Sequence, residues 1–169
     1  VISRLGRLTH TDRVRRNHAL EHAAISVVTE RHPSIFLRGR ANRRGFYVFG
    51  EIGTVELRSA IDEALRRLRA GESQLAVHPR CGTNLAVAGI LSGLAAAGAA
   101  QLRPRRNRFS YAILAAMGAL MFAPRLGAET QRHITTLADP GPLTVRSVER
   151  RRFPLTGETM HWVKTSFEP

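Results

Sequence analysis

Two runs without a charged residue constrain this chain more than anything else in it: "LAVAGILSGLAAAGAAQL", Leu85 to Leu102, and "FSYAILAAMGALMFA", Phe109 to Ala123. About 20 consecutive apolar residues are needed for a helix to cross the hydrocarbon core of a bilayer. The first run lies at the lower edge of that length. The second reaches it if Arg125 snorkels and the helix continues through Leu126, Gly127 and Ala128. The intervening "RPRRNR" reads as a tight polar turn. A transmembrane helical hairpin is therefore predicted over 84–128. The competing reading, two buried helices of a soluble all-α core, fits less well, because paired charge-free runs around a short arginine loop are uncommon in soluble domains of this size. Gly89 and Gly93 fall at GxxxG spacing with Ala97 one step further, which permits close helix approach within the hairpin or between protomers.

The flanking segments are polar and mixed. Thr11 or Asp12 can cap a helix that runs to Arg31 and is closed by His32-Pro33. "SIFLRGRANRRGFYVFGEI" alternates about a Gly/Asn/Arg centre, which predicts short strands at Ile35 to Arg38 and Phe46 to Gly50. From Thr54 an amphipathic helix is expected, with Val55, Ile61, Ala64, Leu65 and Leu68 on its core stripe and Gly71 at its end. After the hairpin, Val145, Val148 and Phe153, then Met160, Trp162 and Val163, mark two further strands. The expected fold class is α+β: a small αββα region, 1–83, is completed by a C-terminal β-hairpin, 129–169, and caps the two-helix transmembrane hairpin.

Charge narrows the function classes. Lys and Arg total 26 against 13 Asp and Glu, a formal net charge of +13, and all of the cations but Lys164 are arginine. The arginines are scattered along the chain and not interleaved with aromatics, so nucleic acid is an unlikely partner and a basic surface near a membrane is the better expectation. Cys81 is the single cysteine, which excludes an internal disulfide and suits a reducing compartment. The N-terminal stretch has no continuous apolar run and does not read as a secretory signal. Arginines 103, 105, 106 and 108 argue for a cytoplasmic loop, whereas Arg66, Arg67, Arg69, Arg80, Arg125 and Arg132 argue for cytoplasmic arms. The second is favoured, since the first requires export of a long basic segment. A multi-pass cell-membrane protein with both termini cytoplasmic is the expectation.

The chemistry concentrates in "RRNHALEHAAISVV". In a helix His22 lies about 40° from His18, and Glu21 about 60° to its other side, so the three share one arc. Imidazoles four residues apart can bind one metal. H-x-x-E-H is the reversed zincin order, with Glu21 in the position of the general base. Zinc is the expected metal, since two His and one further ligand leave a fourth position open. That further ligand is expected from "AVHPRCGTN", His78 first and then Cys81, with Glu72 and Glu63 as other options. The structural alternative is a Glu-His pair that holds the first helix against the sheet, with "HPRCGTN" a simple turn in which Asn84 caps the membrane helix. His10, His32, His133 and His161 stand alone and read as surface or core histidines.

"NHALEHA", "GFYVFGEI", "ALRRLRAGESQLAVHPRCGTNLAV", the hairpin and "RLGAETQRHITT" followed by a strand pair occur here in the order of a bacterial membrane-protein family known only as domain of unknown function 6391, which the chain resembles over nearly its whole length. The resemblance implies a small integral membrane protein. His18, Glu21, His22, His78, Cys81, Gly82, Thr83 and Asn84 match its motif positions, and it assigns no role to them. Two functions follow as expectations. One is a membrane-anchored metal-binding protein, extending to a zinc-dependent peptidase or hydrolase with Glu21 as base. The other is a non-enzymatic accessory or assembly subunit whose Gly-rich hairpin docks on a membrane partner or a second copy.

Overall fold

The computed structural model describes residues 9–102 and 106–168. Of the polar turn expected over 103–108, residues 103–105 lie outside the described residues. The chain divides into two units, one built from Val1–Val77 with Ile134–Pro169 and the other from His78–His133.

In the first unit α1 spans His10–Arg31. Its cap is Thr9 rather than Thr11 or Asp12: the Thr9 hydroxyl accepts from Asp12 N at 3.1 Å, while the Asp12 carboxylate accepts from Thr9 N at 3.2 Å. That reciprocal pair needs a cap and an acid three residues apart. Thr9 and Asp12 satisfy this spacing, and Thr11 has valine at the corresponding place. From Asn17 to Val28 nearly every residue of α1 is buried, as expected of a helix with packing partners on several sides. Those partners are β1 (Arg38–Asn42), β2 (Gly45–Phe49), α2 (Thr54–Arg69) and a 3-10 turn at Ser73–Ala76.

The first strand begins three residues later than the sequence predicts, because its register is set by the turn and not by the apolar run Ile35-Phe36-Leu37. Asn42 pairs with Gly45 across Arg43-Arg44, and the Asn42 side-chain oxygen accepts from Arg44 N at 2.8 Å. Gly45 has φ +147°, and a Cβ there would stand 1.8 Å from the Val163 carbonyl oxygen, so only glycine admits the close approach of β4. In α2 the core stripe is Leu57, Ala60, Ile61, Ala64, Leu65 and Leu68, whereas Val55 is 85% exposed. Val55 lies off the stripe by helical geometry; Leu57, four residues before Ile61, takes the place assigned to it.

The N- and C-terminal strand pairs join in one antiparallel sheet of order β1-β2-β4-β3, where β3 is Thr144–Arg152 and β4 is Thr159–Ser166. Val145 and Val148 are three apart, a spacing that would put them on opposite faces of a regular strand. A register shift between Val145 and Ser147 re-phases β3, so that Val145 pairs with Thr165 and Val148 with Val163 and both pack on the core. The fold of this unit is thus the expected α+β arrangement.

The second unit is a helical hairpin of α3 (Gly82–Gln101) and α4 (Arg108–Thr130), followed by a π-turn at Gln131–Thr135. Both helices are long and apolar enough to cross a membrane. No residue of α3 is buried, and the large side chains Leu85, Ile90, Leu94, Ile113, Leu114 and Met121 are exposed. A Cβ at Gly89 or at Gly93 would meet nothing within 4 Å, so the spacing of these glycines does not serve the approach of α3 to α4. Gly127 does serve it: a Cβ there would stand 2.2 Å from Asn84 Oδ1.

Candidate metal centre

His18 and His22 project from one face of α1 with ring centroids 4.3 Å apart and planes at 62°. Each imidazole meets a backbone carbonyl through Nδ1. His18 Nδ1 lies 3.0 Å from Thr135 O, and His22 Nδ1 lies 2.8 Å from Ala76 O. A carbonyl only accepts, so both Nδ1 atoms carry the proton and donate it. In the neutral ring the lone pair is then on Nε2 in both residues. A metal-binding histidine is typically oriented in this way, with its second N–H held by a carbonyl or carboxylate. Burial pushes the His18 pKa below its ordinary value, against the smaller opposing effect of the Thr135 carbonyl, so the neutral ligand form prevails at pH 7. His22 is 2% exposed.

The two carbonyls come from irregular backbone. Ala76 ends the 3-10 turn that follows α2, and Thr135 ends the π-turn. Neither could have been singled out in the sequence, because a backbone acceptor leaves no mark in residue identity.

Glu21, on the same helix, is 3% exposed and packs toward β1, where a Cβ on Gly39 would lie 2.1 Å from its Oε1. Gly39 thus provides the space that the carboxylate fills. The glycine sits in "RGRAN", and only the pairing of helix and strand reveals its use.

His78 and Cys81 fall in the second unit, in the turn that leads into α3. Cys81 N donates to His78 O at 3.2 Å, and Cys81 is the N-cap of α3, its sulfur accepting from Thr83 N at 3.4 Å. The cap is therefore Cys81 and not Asn84. Asn84 sits in the first turn, donates to Pro79 O at 2.8 Å, and accepts from Gln131 Nε2 at 2.7 Å. Gln131, fully buried, also accepts from His78 N at 2.9 Å through Oε1. This amide pair holds the turn from both ends, and Gln131 is the residue sequence reasoning missed: its only signal was its place in "RLGAETQRHITT". His78 Nδ1 accepts from Arg80 N at 3.3 Å, so its neutral form carries the proton on Nε2, the opposite tautomer to that of His18 and His22. Burial, and then the Arg80 charge, hold the His78 pKa below its usual value.

The acidic options lie elsewhere. Glu63 is paired with Arg31 at 2.5 Å, and Glu72 with Arg67 at 2.9 Å. Of the remaining histidines, His32 pairs with Glu56, His133 lies 3.2 Å from Glu129, and the fully buried His161 meets the Thr54 hydroxyl at 3.1 Å.

A family model described as a domain of unknown function, DUF6391, matches residues 13–148. An uncharacterized protein of Picosynechococcus sp. (strain ATCC 27264 / PCC 7002 / PR-6) is 37% identical over 167 residues, covering 92% of this chain and 80% of its own length. No solved structure matches.

Proposed function

The chain belongs to the DUF6391 family, and from that premise we propose that it is a membrane-anchored metal-binding protein in which His18 and His22 supply two ligands to a zinc ion. The observation that carries this reading is the shared orientation of the two imidazoles. Both Nδ1–H groups are anchored on carbonyls, which leaves both lone pairs on Nε2.

The turn from His78 to Cys81 is the proposed source of the third ligand. Cys81 is preferred over His78. The lone pair of His78 is engaged by Arg80 N, whereas a sulfur that accepts from Thr83 N keeps further lone pairs, and a helix N-terminus favours thiolate. His18, His22 and Cys81 would hold the zinc ion, which when bound would supply Lewis-acid chemistry. Glu21 as general base would extend this reading to a hydrolase. Its packing over Gly39 equally suits a residue that fixes α1 on the sheet, in which case the protein binds metal without catalysis as an accessory subunit.

Membrane anchoring is supported by the hairpin's exterior. A core helix of a soluble protein buries its large side chains, and here they are exposed along both helices. Because β2 pairs with β4, the segments before and after the hairpin form one sheet, so both lie on the same side of a bilayer that the hairpin spans. We place that side in the cytoplasm on the arginine distribution.

Elemental analysis of detergent-purified protein, prepared without chelator, tests the reading. About one zinc per chain is expected in the wild type, lost in His18→Ala, His22→Ala and Cys81→Ser and retained in His78→Ala. Metal-free wild type, or a content unchanged by His22→Ala, would sink the proposal. Glu21→Gln, with zinc retained, then separates the two uses of that residue in a peptidase screen.

A further inference from the structure

The outer face of the sheet carries chemistry that the histidine centre does not use. On β2 and β4 the residues turned toward the helices are Phe46, Val48, His161 and Val163, all fully buried, so Tyr47, Phe49, Met160, Trp162 and Lys164 turn the other way. Tyr47 and Trp162 are cross-strand partners with ring centroids 4.5 Å apart, and Phe153 meets Phe49 edge-on at 5.8 Å. Above the first pair opens a groove of about 620 Å³ lined by Arg43, Arg44, Tyr47, Arg151, Trp162 and Lys164.

Its lining is cationic, with Arg43, Arg44, Arg151 and Lys164 against one acidic residue, Glu149, which pairs with Arg151 at 2.6 Å and also feels the Lys164 charge. Arg43, Arg44 and Lys164 make no ion pair with a carboxylate among the described residues, and Arg43 lies 3.5 Å from His10 Nδ1. Three cations from two segments distant in sequence thus flank an aromatic floor. This arrangement revises the expectation drawn from the scattered arginines, because strand pairing gathers what the linear order separates.

We propose that this groove binds single-stranded nucleic acid, with phosphates on Arg43, Arg44 and Lys164 and a base against Tyr47. A cationic groove with an aromatic platform is the combination by which single strands are held without dependence on sequence. Concavity decides against a membrane surface as occupant. Tyr47 is half-buried and Trp162 is 9% exposed, so neither ring protrudes far enough to enter a flat headgroup layer, while a flexible strand can follow the groove inward.

Trp162 is the only tryptophan of the chain, so its fluorescence reports this site alone. The full chain in neutral detergent is titrated with an oligouridylate of about ten nucleotides, within the ~4–16 nucleotides that such folds cover. Saturable quenching is expected, weakening as salt rises. In the combined variant Arg43→Ala, Arg44→Ala, Lys164→Ala, affinity should fall at least about tenfold and the salt slope by about 2, at ~0.7 for each phosphate that is no longer neutralised. All three side chains are exposed, and an unchanged circular-dichroism spectrum separates lost binding from lost fold. Absence of quenching overturns the proposal. So does equal quenching by tripolyphosphate, which would make the groove an anion site without base contact, and so does a response confined to micelles doped with phosphatidylglycerol, which would make it a lipid-facing surface. Zinc content does not enter the readout, so this test stands apart from that of the histidine centre.

Discussion

The α+β unit and the helical hairpin are built on opposite plans. In the first, Phe46, Leu57, Ile61, Leu20 and Val163 are fully buried around a central helix, and arginines and glutamates pair on the outside. In the second, Leu85, Leu94, Leu114 and Met121 face outward, and the buried positions belong to Ala123, Gly127 and Gln131. The same kinds of side chain sort in opposite senses, and the membrane anchoring proposed above accounts for this by giving the two units different solvents. Burial of large apolar side chains stabilises a fold only where the outside is water. Where the outside is hydrocarbon, helices associate through small residues and a few polar contacts, and on the proposed membrane reading the Gln131–Asn84 pair beside Gly127 would be such a contact.

Three experiments probe that contrast, beginning with the largest effect. Phe46→Ala removes a fully buried ring and is expected to cost the α+β unit about 3–5 kcal/mol, while Leu94→Ala, 68% exposed on the hairpin, leaves that unit's stability within about 0.5 kcal/mol. Denaturant unfolding in micelles, followed by Trp162 fluorescence, measures both. Comparable losses would mean that the hairpin exterior is packed and the contrast is wrong.

Gly39→Ala should cost about 1–3 kcal/mol, because its methyl group would collide with the Glu21 carboxylate. A double-mutant cycle with Glu21→Ala sharpens the point. If the collision is the cause, the second substitution recovers most of the loss. An additive result would detach Glu21 from the sheet and leave its carboxylate available to the histidine pair.

The smallest effect is in pH. His18 and His161 have folded-state pKa values depressed by burial, so near their unfolded values the unfolded chain binds more protons than the folded one. Their neutral forms therefore leave the unit at full stability above about pH 6.5. Stability falls as pH drops below that value and continues to fall until the depressed folded-state pKa is reached. Unfolding midpoints measured from pH 7 to pH 5 should decline, with a shallower slope in His18→Gln. An unaltered slope in that variant would mean that His18 is not the group responsible.

Much of this architecture was legible because it rests on local rules. The charge-free runs specify the hairpin, the periodicity of Ile61, Ala64, Leu65 and Leu68 specifies α2, and the spacing of His18 and His22 brings their rings to one face of a helix whatever that helix packs against. What remained hidden depends on groups that residue identity does not encode, or on pairings across long stretches of chain. The carbonyls of Ala76 and Thr135 set the tautomers of the histidines, yet any residue could supply them. Gly39 matters only because β1 passes Glu21, and the glycines at 89 and 93, conspicuous in the sequence, have no part in the approach of α3 to α4.

The sequence by itself determined the apolar hairpin, the elements of the α+β unit and the candidate ligands, since each follows from period, composition or spacing along a single segment, and the family through a resemblance over nearly the whole chain. Only the tertiary structure decided which nitrogen of each histidine is committed, what surrounds Glu21, and that Arg43, Arg44 and Lys164 share a groove with Tyr47 and Trp162. Those facts arise from backbone geometry and strand register, which bring together groups distant in the chain, in the groove from both ends of it.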